Sequence, residues 1–264
     1  MSSDRRWILI LGSSSGFGAA SAVAFAEAGY DVLGVHLDRK ATLPAAQALV
    51  EQVRGMGRLC HFFNVNAADE ERRGEVLDQV AQLLRDHGGS VQVLLHSLAF
   101  GSLVEMANPQ AKRLLKPRQL SMTMEVMAHS LVWWSRDLVQ RELMIRDGRI
   151  FSMTSFGSVV AAPAYGAVSA AKSALESHTR QLAVELGAYG IRANAVMAGV
   201  TDTPALRKIP GHEEMISEAT RRNPSGRITT PQDVATALVD LARPGLHWMT
   251  GNVIKVDGGE GVVA

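Results

Sequence analysis

Cysteine is nearly absent from this chain: Cys60 is the only one, which rules out an internal disulfide and any thiolate-rich metal cluster. Its surroundings read as a small buried residue on a strand. An excess of either charge is also missing. Lys and Arg total 27 against 26 Asp and Glu, a net charge of +1. That balance gives no electrostatic footprint for nucleic acid or for a membrane surface. No apolar run approaches the roughly 20 residues that a membrane span needs. The run nearest the N-terminus, residues 7–11 (WILIL), has strand length and is too short for a signal segment. A soluble, cytoplasmic protein is expected. His61, His87, His178, His212 and His247 show no ligand spacing, so no metal is expected. Aromatics are sparse at 5%, yet 47% of residues are hydrophobic and 20% charged, the balance of a folded globular protein. Repeats, low-complexity tracts and linkers are lacking, so residues 1–264 read as one domain.

What is present is an alternation of strand-length apolar runs with helical patterns. The runs fall at 7–11, 31–36, 59–65, 91–97, 149–154, 192–198 and 252–256. Helical periodicity fills 17–28, 42–55, 69–86, 118–145, 164–189 and 231–242. Continuous apolar runs mark strands buried on both faces, and the helices between them supply parallel crossovers. The pattern predicts a Rossmann-type, doubly wound α/β fold with a seven-stranded parallel sheet covered on both faces. Two longer connections, 99–117 and 199–230, follow strand carboxyl ends, where such sheets bind ligands. The second contains a polar, helix-periodic stretch broken by Pro-Gly and reads as a mobile substrate lid.

Directly after the first run stand Gly12, Ser13, Ser14, Ser15, Gly16, Phe17 and Gly18, leading into a helix. Glycines there permit a tight turn and let a pyrophosphate approach free helix N–H groups. The spacing is G-x3-G-x-G, and its position between strand and helix predicts a dinucleotide site. The second run ends in His36, Leu37, Asp38, Arg39 and Lys40. Asp38 suits a ribose hydroxyl and NADH, whereas Arg39 and Lys40 suit the 2′-phosphate of NADPH. The sequence leaves NADH or NADPH open. Asn64 and Val65 are expected over the adenine, with Ser97, Leu98 and Ala99 along the ribose and nicotinamide.

Tyr165 precedes Lys172 by seven residues, close to two helical turns, so both side chains share one face. The phenol can hydrogen-bond a substrate oxygen. The ammonium is expected to favour phenolate and to offset charge moving onto that oxygen.

Together these residues resemble the short-chain dehydrogenase/reductase family over nearly the full length. Most members carry the active tyrosine four residues before the lysine, where this chain has Val168. The Tyr-x6-Lys spacing is similar to the enoyl-acyl-carrier-protein reductase branch, as is His96-Ser97-Leu98-Ala99-Phe100 after the fourth run. The C-terminal third resembles the smaller, third type of bacterial enoyl reductase. The resemblance implies hydride transfer to the double bond of a trans-2-enoyl thioester on acyl carrier protein or coenzyme A. It implies Tyr165 and Lys172 as catalytic residues, the lysine holding the nicotinamide ribose. Gly199, Val200 and Thr203 are candidates beside the nicotinamide, and Phe100, Met153, Phe156, Leu206 and Ile209 read either as core residues or as the lining of an acyl pocket. Arg207, Lys208, Arg221 and Arg222 are candidates to attract an acidic carrier or coenzyme A phosphates. Relatives are commonly tetramers, and Met122, Met124, Met127, Trp133 and Trp134 belong either to the domain core or to the apolar surface of such a contact.

One departure keeps a second reading open. Phe156 and Ser155 fill the nine- and ten-residue offsets where many enoyl reductases carry another aromatic residue. A hydroxyl from Thr154 or Ser155 beside Tyr165 would suit a carbonyl or alcohol oxidoreductase. A third reading is a nucleotide-binding regulator without turnover.

Overall fold

A computed structural model describes residues 5–263. Seven parallel strands form one sheet: β1 (Arg6–Leu11), β2 (Asp31–His36), β3 (Cys60–Asn64), β4 (Ser90–His96), β5 (Arg149–Thr154), β6 (Arg192–Ala198) and β7 (Val253–Val256). Their order is β3-β2-β1-β4-β5-β6-β7, so the winding reverses between β1 and β4. Strands β1, β2 and β5 are buried almost throughout, as their unbroken apolar runs require.

Helices α1 (Gly16–Glu27), α2 (Leu43–Gly55), α3 (Glu70–His87), α4 (Pro117–Met124), α5 (Ser130–Gln140), α6 (Gly166–Leu186), α7 (His212–Arg222) and α8 (Pro231–Leu241) complete the fold. On one face Phe25, Leu49 and Leu238, from α1, α2 and α8, pack on Ile8, Ile10 and Phe151. On the other, Leu77, Leu131 and Leu175, from α3, α5 and α6, pack on Leu9, Leu94 and Ile150. Local signals explain the boundaries. Asp69 caps α3 by accepting from Arg72 N, with Glu70 and Glu71 in the first turn and Arg85 and His87 in the last. Thr230 and Asp233 form a capping box at the start of α8, with Pro231 between them as its first residue.

The periodic stretch 118–145 is not one helix. A π-helical turn, Glu125–His129, separates α4 from α5, and Ser130 Oγ donates to Val126 O at 2.8 Å beside it. The polar stretch after residue 199 does fold as α7, preceded by Gly211 at φ +75°. Among the described residues no helix is long and apolar enough to cross a membrane.

Candidate active site

The carboxyl ends of β1 and β4 meet at the glycine loop. Gly12 N donates to Val35 O at 2.8 Å, and Ser97 N donates to Leu11 O at 2.8 Å. A Cβ on Gly12 would stand 2.5 Å from the Ser97 carbonyl, and one on Gly18 would run into the Gly12 carbonyl. Leu98 closes the same contact through Cδ2. Ser15 caps α1 in an extended conformation without spending its side chain on the helix N–H groups. Phe17 packs into the core below, while Ser14 stays beside Asp38. Bare backbone at a helix start, with no side chain able to intrude, fits a dinucleotide pyrophosphate. Gly16 faces Thr203, whose Cγ2 lies 3.4 Å from the position of a Gly16 Cβ. The loop after β6 therefore reaches the loop after β1.

Asp38 is tightly held. Its backbone N–H donates to Asn64 Oδ1 at 2.9 Å, and Asn64 Nδ2 donates to Asp38 O at 3.0 Å. Asn64 is thus occupied in positioning Asp38, and its amide is not free for the adenine role expected from sequence. Val65 follows on β3, its N–H bonded to His36 O at 2.8 Å. Burial alone would raise the Asp38 carboxyl. Hydrogen bonds from Ser14, Thr42 and His36 outweigh it and hold Asp38 below the ordinary carboxylate range. Arg39 and Lys40 are exposed.

Tyr165 is the residue before α6, and its phenol is pushed up by burial, with Ser155 pulling partly back. The direction is opposite to the phenolate-favouring shift expected from a nearby ammonium. The phenol stays neutral and keeps a proton to donate. Ser155 Oγ is buried beside the phenol and makes no hydrogen bond away from it. Thr154 is different: its hydroxyl donates to Glu176 Oε1 at 2.6 Å. Of the two hydroxyls foreseen as assistants, only Ser155 faces the phenol without being spent on another side chain. Gly157 makes the approach possible, because any Cβ there would collide with the Tyr165 ring.

Lys172 is buried, donates to Met153 O at 2.7 Å, and has its pKa lowered to about 8 by burial, with Glu176 opposing. Behind it His96 Nε2 donates to Ser130 Oγ at 2.8 Å, since the Ser130 proton goes to Val126 O, while its Nδ1 is buried without a partner. Burial, reinforced by Lys172, pushes His96 down to about 3, so the ring is neutral. Glu176 stands one helical turn beyond Lys172, a spacing readable from sequence but not used there.

The expected acyl pocket is only partly assembled. Met153 is 4% exposed and packs into the α1/α8 side of the core. Ser152 and Thr154 face α6, so strand alternation turns the Met153 side chain the other way, and only its carbonyl serves the site. Phe100 is 59% exposed. Gly101, next to it, fits against Val168, Met127 and Thr123, where a Cβ would find Val168 Cγ2 at 2.7 Å. Val168 therefore fills the four-residue offset as packing. Met106 rests over Gly166, the first residue of α6, which brings the 99–117 connection against the base of Tyr165. Leu206 is buried and Ile209 half-buried in the turn after Thr203. Phe156 lies against Gly261, with Lys255 Nζ 5.4 Å from its ring.

The C-terminal turn holds the loop after β6, an anchor that sequence reading missed. Glu260 Oε2 accepts from Val200 N at 2.9 Å, and Gly199 has no room for a side chain beside Thr229 and Glu260. Arg222 of α7 donates to Val263 O at 2.7 Å. Of the cations expected to draw an acidic carrier, Arg207 is paired with Asp202 and Arg221 with Glu218. Only Lys208 keeps the exposed, unassigned charge that this role needs.

A winding reversal over a glycine cradle, with a half-buried phenol at the head of the helix after β5 and a buried ammonium on it, defines a nicotinamide-dependent oxidoreductase. Its coenzyme is NADH or NADPH. Residues 12–260 match the family described as enoyl-(acyl carrier protein) reductase. The 1-cyclohexenylcarbonyl-CoA reductase of Streptomyces collinus is 32% identical over 99% of this chain and 89% of its own length. The enoyl-[acyl-carrier-protein] reductase [NADH] FabI of Aquifex aeolicus is 29% identical over 70% of this chain and 67% of that protein. The crystal structure of an A. aeolicus enoyl-[acyl-carrier-protein] reductase (NADH) aligns with a TM-score of 0.81 at 24% identity, covering 99% and 98% of the two chains. The chain belongs to the enoyl-(acyl carrier protein) reductase family of short-chain dehydrogenases/reductases.

Proposed function

We propose that this protein reduces the carbon–carbon double bond of a trans-2-enoyl thioester carried on coenzyme A or acyl carrier protein. The observation that carries this reading is the burial of Val168 against Gly101, which leaves Tyr165 as the phenol of the site. The coenzyme, when bound, supplies a hydride equivalent. Gly12, Gly16 and Gly18 leave backbone for its pyrophosphate. Ser97, Leu98, Ala99, Gly199, Val200 and Thr203 form the walls toward its nicotinamide end.

Tyr165 holds a proton on its phenol and donates a hydrogen bond to the thioester oxygen as negative charge develops there. Lys172 adds positive charge and is within the buried layer beneath that position. The α-carbon takes its proton from solvent, so no chain carboxylate is needed there. Asp38 favours NADH, because a fixed carboxylate opposes the 2′-phosphate of NADPH. The half-buried Met122 and Met124 and the exposed Trp133 support a contact with another copy, as in a tetramer, which light scattering tests.

Steady-state reduction of crotonyl-CoA with NADH and NADPH in parallel tests reaction and coenzyme together. Turnover with NADH is the expected result; no turnover with either coenzyme overturns the reading. One observation favours a second reading. The Ser155 hydroxyl beside Tyr165, with no other partner, would complete a two-donor site for a ketone. Faster reduction of a 3-ketoacyl than of a 2-enoyl thioester would establish that alternative.

A further inference from the structure

His36 ends β2 only 5% exposed, on a strand otherwise filled by apolar residues and one glycine between Val32 and Val35. A buried imidazole is costly unless its nitrogens are bonded, and an aliphatic residue would fill the same space. Its Nδ1 lies 2.8 Å from Asp38 Oδ2. An ionised carboxylate only accepts, so Nδ1 carries the proton and donates. Residues 34 and 36 share one face by the two-residue strand period, and Asp38 stands two residues beyond the strand end. On that face Gly34 leaves room for the Phe62 ring, which a Cβ would meet at 2.5 Å. Phe62 in turn sits 5.7 Å from the His36 ring at an interplanar angle of 52°. The imidazole is thereby packed from behind by Phe62 and pointed forward at Asp38. Asn64 meanwhile clamps the Asp38 backbone, and the Ser14 hydroxyl of the glycine loop lies beside the carboxylate.

On the strength of the coenzyme assignment above, we propose that His36 is a positioning residue for coenzyme choice: its Nδ1–H aims the Asp38 carboxylate at the adenosine ribose and so enforces preference for the coenzyme without a 2′-phosphate. The backbone clamp from Asn64 locates the Asp38 main chain but leaves its χ angles free. Ser14 and Thr42 lie on the loop sides, and His36 is the donor rising from the sheet. Without it the carboxylate can rotate off the ribose hydroxyls, weakening NADH while leaving NADPH, which gains nothing from Asp38, nearly unchanged.

The test is direct binding, by fluorescence titration of NADH and NADPH, on the wild type and on His36→Leu, His36→Asn and Asp38→Ala, with thermal unfolding to confirm folding. Loss of one charge-assisted hydrogen bond that orients a ligand group is expected to weaken NADH about tenfold in His36→Leu. NADPH should stay within about twofold. His36→Asn, which places an amide donor near the Nδ1 position, should recover most of the NADH affinity. Equal weakening of both coenzymes in His36→Leu, or no change in either, overturns the proposal. If Asp38→Ala shifts the NADH to NADPH ratio while His36→Leu does not, the role of Asp38 stands and that of His36 falls. If Asp38→Ala leaves the ratio untouched, the coenzyme assignment fails and takes the His36 role with it.

Discussion

The Lys172 ammonium donates to the Met153 carbonyl at 2.7 Å from a buried position on α6. That carbonyl, at the end of β5, is the contact that keeps a desolvated cation beneath the site. Burial still lowers the lysine to about 8, so its charge is lost just above neutral pH. Coenzyme affinity should therefore fall as pH rises through about 8. Stability moves the other way. An unfolded lysine keeps its proton to roughly 10.4, so between the two values the unfolded chain binds more protons and stability rises with pH. Urea unfolding of Lys172→Met should lack this rise, and its advantage over the wild type should shrink from neutral pH to pH ~10. A coenzyme-binding profile flat across pH 8 would contradict the assignment.

Tyr165 supplies the next test. Its phenol is raised by burial and therefore remains a donor throughout the range in which Lys172 titrates. Tyr165→Phe should lower kcat by roughly 10²–10³ on crotonyl-CoA, the usual loss for one donor to a developing oxyanion. Coenzyme Kd should change little, and the decline above pH 8 should persist in the coenzyme-binding profile. Ser155→Ala should cost about tenfold or less with an enoyl thioester, since one neutral hydrogen bond is worth about 1 kcal/mol. A much larger loss with a ketone substrate would point to the carbonyl reading.

Glu260 is 5% exposed, and burial raises its carboxyl above the ordinary glutamate range despite the bond from Val200 N. A carboxyl raised in the folded state binds its proton more tightly there than in the unfolded chain. Its stabilising contribution is present below the unfolded value of ~4.3 and is lost as pH rises through the folded one. Glu260→Gln keeps an acceptor for Val200 N and removes that loss. The variant should gain in Tm over the wild type from pH ~4 to neutrality, measured by calorimetry. Glu260→Ala, which leaves the loop after β6 unanchored, should instead raise the KM for coenzyme.

Much of this was legible in the primary structure, for identifiable reasons. Strands such as β1 and β5 are buried on both faces, so their runs of apolar residues are unbroken and their ends lie within a residue of the expectation. The glycine loop was readable because close backbone approach leaves no substitute for glycine at Gly12 and Gly18. Side-chain direction was harder. Met153 reads from sequence as either core or pocket lining, and which face of β5 α6 covers is a tertiary fact. Asn64 bonds Asp38 from a neighbouring strand, 26 residues away, and Glu260 reaches Val200 from 60 residues away. Neither leaves a local periodic trace. The π turn at Glu125–His129 keeps helical composition, so periodicity runs straight through it.

The contact between Gly101 and Val168 yields the last prediction. Gly101→Ala would place a methyl 2.7 Å from Val168 Cγ2 and 2.9 Å from both Met127 Sδ and Thr123 Cγ2. Three side chains rooted in α4, the π turn and α6 would have to give way together, and overpacking of that kind costs about 1–3 kcal/mol. Ser102 N also donates to Thr123 Oγ1 at 3.0 Å, so the strain would pass into the 99–117 connection that leads to Met106 and the Tyr165 base. Val168→Tyr should be worse, because it drives a ring into the space Gly101 occupies. Combined with Tyr165→Phe it would move the phenol to the four-residue offset used by most of the wider family. The double variant should not regain enoyl reduction, and urea unfolding should show it destabilised. Recovery of crotonyl-CoA turnover in that double variant would mean that a phenol at position 168 can reach the substrate, and that the Gly101 contact does not set the Tyr-x6-Lys spacing.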